Sequence, residues 1–169
     1  MNLPNSSIVS FFEQKYGEPY FMENRTRLYG HTPRVAPKAY EAIIYPELNE
    51  DEIIEFSNRL GSSLPEQYHE FLLTMNGVSL HIGKVRLFGY IPIKRLFPVH
   101  PHYYPSNLVP VSKTLSTSER FCIGWIQEGN RNVYIHKKKI IVDEGKCVGE
   151  SFDSIFDFVL DQYSAQDNW

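Results

Sequence analysis

The stretch that decides the fold is Leu60-Gly61-Ser62-Ser63-Leu64-Pro65-Glu66-Gln67-Tyr68-His69-Glu70-Phe71-Leu72, followed by a second stop at Asn76-Gly77. Gly61 is placed to close one helix, because helices commonly end in a left-handed residue that glycine adopts without a Cβ penalty. Pro65 restarts the chain, since the first helical turn does not use the N–H that proline lacks. Tyr68, Phe71, Leu72 and Met75 then recur at i, i+3, i+4 and i+7, which is one face of a helix. Asn76-Gly77 is expected to end that helix in a left-handed conformation. Upstream, Asn49 and Glu52 can form a capping pair, and Ile53, Phe56 and Leu60 make a stripe across 50–60. A helical hairpin follows from these residues alone.

Moving outward, Asn5 or Ser6 can cap a first helix carrying Ile8, Val9, Phe11, Phe12 and Tyr16, with Gly17 as its stop. From 17 to 48 the glycines and prolines break any long period, so this part reads as a meandering extension with a few extended pieces. After Gly77 the period changes to two. Val85, Leu87 and Gly89 alternate with Arg86, Phe88 and Tyr90, and Phe121, Ile123 and Trp125 alternate with Cys122, Gly124 and Ile126. The turns at 128–130 and 137–139 connect the second of these strands to Val133–His136 and Ile140–Val142 as an antiparallel meander. Trp125 is expected in the core. Pro92, Pro98, Pro101, Pro105 and Pro110 make the intervening segment loop or edge. Ser151 is expected to cap a last helix with Phe152, Ile155, Phe156, Val159 and Tyr163 on one face and Asp153, Asp157 and Asp161 at i, i+4 and i+8 beside it.

The chain has 169 residues. At about 150 residues per domain this is one domain with room for a small appendage, and about 70% of the unfolded surface would be buried on folding. Cys122 and Cys147, two cysteines in all, make neither a disulfide framework nor a four-ligand zinc site by themselves. The N-terminus has no basic and apolar signal pattern, and no apolar run approaches the roughly 18 residues of a membrane span, so a cytoplasmic location is expected. The net charge of −3 conceals strong segregation. Residues 41–80 carry Arg59 against eight acids, 81–149 carry eleven bases against four acids, and 150–169 carry five acids and no base.

Together, the "LG…LP" connection of Leu60, Gly61, Leu64 and Pro65, the face of Tyr68, Phe71 and Leu72, and the closing Asn76-Gly77 resemble the signature of the SMI1/KNR4, or SUKH, superfamily. Leu87-Phe88-Gly89, the Ile123-Gly124 strand with its Gly129-Asn130 turn, and Ser151-Phe152 continue the resemblance in order. It implies an α+β fold, a largely antiparallel β-sheet with helices packed against it. It divides the chain into an N-terminal helix and irregular extension over 1–47, packed on the core, and an SMI1/KNR4-like domain over 48–169. It further implies the bacterial single-domain type, an immunity protein that binds a cognate toxin domain without catalysis. The signature residues themselves are those of turns and caps, and their role is folding.

The residues carry no P-loop, no zincin helix, no nucleophile elbow and no dinucleotide fingerprint. No enzyme activity, metal or cofactor is expected; His100-Pro101-His102 is a pair where zinc takes three or four ligands. Arg95, Phe97, His102, Tyr103 and Tyr104 have the composition of interface anchors, or of a cover over the sheet. Asp153, Asp157, Asp161 and the acids of 50–55 can attract a basic toxin such as a nuclease. Two other readings stay open. One is a regulatory or scaffolding module in cell-wall or stress signalling; the other is a nucleic-acid-binding domain using the basic strands, against which the acidic total charge argues.

Overall fold

The computed structural model describes residues 6–90, 92, 120–143 and 148–164. Within them the fold is α+β. Strands β1 (Tyr20–Phe21), β2 (Arg27–His31), β3 (Tyr40–Ile44), β4 (Val78–Leu80), β5 (Val85–Leu87), β6 (Arg120–Ile126), β7 (Arg131–His136), β8 (Lys139–Asp143) and β9 (Val148–Phe152) form one antiparallel sheet. Their order in space is their order in the chain. Helices α1 (Ser6–Tyr16), α2 (Glu50–Leu60), α3 (Glu66–Thr74) and α4 (Ile155–Ser164) accompany it.

Period-two patterning sets the two faces of the sheet. Ala42, Ile44, Val78, Leu80, Val85, Leu87, Val133, Ile135, Ile140 and Val142 follow one another through the register and are all buried on one face. They share a single core with Ile8 and Phe12 of α1, Ile53 and Phe56 of α2, Tyr68, Phe71 and Leu72 of α3, and Ile155, Phe158 and Val159 of α4. Each large apolar side chain so buried contributes about 1.5–3 kcal/mol. Phe12 packs edge-on against Tyr163 at 5.3 Å and lies 5.6 Å from Tyr29, so α1 is tied to both α4 and β2.

The N-terminal forty residues are more regular than their glycines and prolines suggest, because β1, β2 and β3 continue the sheet outward from β4. The helical hairpin is inserted between the neighbouring strands β3 and β4. Its two ends are zipped together by hydrogen bonds from Leu48 N to Leu72 O at 2.9 Å and from Asn76 N to Tyr45 O at 3.1 Å. The expected caps of α2 are present: Asn49 accepts from Glu52 N at 2.9 Å, and Gly61 is left-handed at φ +74°.

Three expectations change. Pro65 is the N-cap residue of α3, one position outside the helix, with its first turn beginning at Glu66. The helix ends at Thr74, Met75 is already extended, and Gly77 alone takes the left-handed conformation, at φ +90°. The Asn76 side chain pairs across to the chain after β5 instead. Its Nδ2 donates to Tyr90 O at 2.6 Å, and its Oδ1 accepts from Tyr90 N at 2.7 Å. The side-chain amide thus pairs with a backbone as a strand would. Gly89, a bridge residue just beyond β5, shares this contact, since a Cβ there would collide with the carbonyl and Oδ1 of Asn76. Ser151 does not cap α4. It pairs with Ile141 in the β8–β9 ladder, which leaves Ser154 as the cap, accepting from Asp157 N at 3.0 Å. Phe152 reaches α4 from the strand, 5.6 Å from Phe158.

Asn76→Ala strands the buried N–H and C=O of Tyr90 and is expected to cost at least ~2 kcal/mol in urea unfolding. Gly89→Ala, forced against the Asn76 backbone, is expected to cost ~1–3 kcal/mol. Gly61→Ala, facing open space, is expected to cost only about 1 kcal/mol for its left-handed backbone. A Gly89→Ala loss no larger than that of Gly61→Ala would refute the close contact.

Candidate functional site

The signature residues occupy the junction between the helical hairpin and β5. Tyr68 is fully buried and donates its hydroxyl to Phe88 O at 2.7 Å. Burial holds that hydroxyl well above the usual tyrosine range, so it remains a donor. Phe71 and Leu72 fill the core beneath it, and Leu60 and Leu64 pack at its margin. Tyr90 stacks on Phe56 of α2 at 4.6 Å, donates to Glu55 at 2.6 Å and accepts from Arg59 at 3.2 Å. Burial first, and then the Glu55 bond, raise the Tyr90 hydroxyl. Its backbone is the one gripped by Asn76. The chain therefore enters the proline- and aromatic-rich segment from a fixed root. Arg95, Phe97, His102, Tyr103 and Tyr104, with the pair at 100 and 102, lie outside the described residues.

Helices α2, α3 and α4 carry eight of the chain's twenty acids. Glu50, Asp51 and Glu52 occupy the first turn of α2, where the helix dipole favours negative charge. Glu50 bonds His69 of α3 at 3.1 Å. Gln67 of α3 accepts from Ile155 N at 2.7 Å and so docks the start of α4, with its aspartates, beside α3. The three aspartates are not one helical stripe. Asp153 precedes the helix and pairs with Lys139 of β8 at 3.2 Å, so it has a basic partner that its own helix lacks. Asp157 receives the Ser154 hydroxyl at 2.9 Å in the first turn, and Asp161 follows one turn later, half-buried. Ile54, 55% exposed, supplies an apolar side chain on the acidic helix α2.

The opposite face of the sheet has a different character. Leu28, Ile43, Ser79, Arg86, Trp125 and Asn132 succeed one another across it. Trp125, expected in the core, is half-buried here, and its indole N–H donates to Asn130 at 2.9 Å. The alternation of β6 decides this, because Gly124 and Ile126 take the core side.

The described residues offer little for covalent chemistry. No group of three or more His, Cys, Asp or Glu among them could hold a metal. His69 and His81 are engaged by Glu50 and Glu41. Burial pushes the Cys122 thiol up to about 11, which leaves almost no thiolate at neutral pH.

This geometry is an antiparallel sheet covered by helices on one face, with Arg86 and Trp125 on the other. Residues 47–161 match the SMI1 / KNR4 family (SUKH-1), and the chain belongs to that family. The match begins after β3, leaving α1 and β1–β3 before it. Membership is consistent with immunity-type or SMI1/KNR4-type roles and with a protein partner. Comparison with curated proteins gave no match. Among the described residues no helix is long and apolar enough to cross a membrane.

In a Cys147→Ser chain, Cys122 is the sole thiol. Its native-state reaction with a disulfide reagent is expected to be negligible at neutral pH and to rise as the pH approaches 11. Stoichiometric modification near neutrality under folded conditions would contradict the burial.

Proposed function

We propose that this chain is an immunity protein, which binds a cognate toxin domain in the cytoplasm and neutralises it by stoichiometric occlusion, without catalysis. Family membership supports the class of function. The reading is supported by the acids that α2, α3 and α4 carry, since the Glu50–His69 bond joins α2 to α3 and the Gln67–Ile155 bond joins α3 to the start of α4. An acidic surface of this kind accelerates encounter with a basic partner and suits the basic surface of a nuclease. Asp153, Asp157 and Asp161 are its proposed outer contacts. Arg95, Phe97, His102, Tyr103 and Tyr104 are the proposed anchors that follow the fixed root at Tyr90, because large amphipathic side chains dominate binding energy in interfaces.

The test is capture of partners from the source cell with tagged full-length chain, followed by toxicity of the captured protein with and without it. One equimolar partner whose toxicity is abolished is expected; several weak partners would instead favour a regulatory scaffold. With that partner in hand, Asp153→Asn, Asp157→Asn and Asp161→Asn together are expected to slow association about tenfold at low salt and far less at high salt. An unchanged association rate with unchanged salt dependence would remove the aspartates from the interface.

A further inference from the structure

Ile82, Gly83, Arg86, Phe88, Trp125 and Gln127 line a shallow groove of about 520 Å³. Arg86 and Trp125 are register partners on the sheet face turned away from the helices. Three of its walls are held in place. The Trp125 indole is fixed by Asn130 at 2.9 Å, and Arg86 Nε donates to Gly83 O at 3.1 Å. Ile82 is held by its backbone. His81, Ile82 and Gly83 are consecutive left-handed residues at φ +50°, +57° and +83°. For a β-branched residue that conformation is a true outlier.

The turn keeps this strain because it is clamped. His81 is buried, its Nδ1 lies 2.7 Å from Glu41 Oε1, and its Nε2 donates to Gln162 O at 3.0 Å. The ring also packs 4.5 Å from Tyr163. Ile82 N donates to Glu41 O at 3.3 Å. The clamp ties the β4–β5 turn to β3 and α4, and the result is an isoleucine 38% exposed at the groove. Strain that the surrounding structure maintains, and that delivers an apolar side chain to solvent, marks a functional surface more readily than a folding necessity. Asparagine would hold the same backbone with less strain.

We propose that this groove docks an extended segment of a partner protein in which a carboxylate lies next to an aliphatic side chain. Among the described lining residues Arg86 is the ionised one, and the Gln127 wall is held by its N–H to Lys84 O at 2.8 Å. The carboxylate sits against Arg86, and the aliphatic side chain sits between Ile82 and Trp125. Fixed walls lower the ordering cost of binding. Trp and Arg are the residues most enriched where interfaces concentrate their energy. A nucleic-acid strand fits less well, since a single lining cation and an aliphatic wall offer neither a phosphate track nor a second stacking surface. The groove lies on the other side of the sheet from the acidic helical surface, so it goes beyond the immunity reading and can fail or succeed without it.

The test follows the indole N–H signal of Trp125 in 15N-labelled full-length chain, separated from that of Trp169 by a Trp169→Phe variant. The probes are a blocked Leu-Asp-Leu-Asp peptide, its Leu-Lys-Leu-Lys counterpart and a short oligothymidylate. The acidic peptide alone is expected to shift the Trp125 signal in a saturable way, and Arg86→Gln is expected to weaken it about tenfold. Ile82→Asn is expected to abolish the shift while leaving unfolding stability equal or higher, which separates a binding role from a structural one. No saturable shift with the acidic peptide, an equal shift with the basic peptide or the oligonucleotide, or an undiminished shift in folded Ile82→Asn would each overturn the proposal.

Discussion

The pairing of the Asn76 side chain with the Tyr90 backbone is the constraint on which the rest of the structure turns. A carboxamide offers one donor and one acceptor in a fixed plane, which is what a peptide unit in a neighbouring strand would offer. Through it the chain leaving α3 is locked to the chain leaving β5, at the position where Gly77 and Gly89 let two backbones approach. Tyr90, so held, can stack on Phe56 and bond Glu55 and Arg59, which fixes α2. Tyr68 closes the same junction from α3 by bonding Phe88 O. Three consecutive residues after β5 (Phe88, Gly89 and Tyr90) are thereby held by the helical hairpin, while Phe88 N also donates to Ile123 O of β6 at 2.7 Å.

Those contacts explain which parts of the fold were legible. The hairpin was, because Asn49, Gly61 and the Tyr68 stripe act within one or two turns of themselves. The use of Asn76 was not, because its partner is fourteen residues away and an Asn-Gly pair after a helix reads locally as a cap. Strands β1–β3 were obscured because turn-forming residues are dense between them, while their ladder depends on β4, far along the chain. Ser151 and Ser154 are both competent caps, and only pairing of Ser151 with Ile141 settles which one is used. The acidic character of the helices was legible as composition. That Gln67 would join α3 to α4, or that Lys139 would reach Asp153, was not.

The separation of charge along the chain becomes a separation in space. The helices α2, α3 and α4 carry eight of the chain's twenty acids against the single base Arg59, while Arg86 and Trp125 lie on the sheet face turned away from them. The net charge of the whole chain is nonetheless a modest −3. Fields from exposed charges of this kind act over about one Debye length, roughly 8 Å at physiological salt.

The wiring of the sheet has a further consequence. Every strand pairs with its neighbours in the chain, so most of the ladder closes through short turns, and only two connections are long: the helical hairpin between β3 and β4, and the stretch between β5 and β6. The first of these is bound into the core at both ends, whereas the second joins two strands that already pair at Val85–Ile126, Arg86–Trp125 and Leu87–Gly124. Because the entropy of closing a loop grows only slowly with its length, about 0.6 kcal/mol per doubling, lineages can lengthen, shorten or replace that second connection while the scaffold stands. The pairing of β5 with β6 thus sets the sheet independently of how long that connection is.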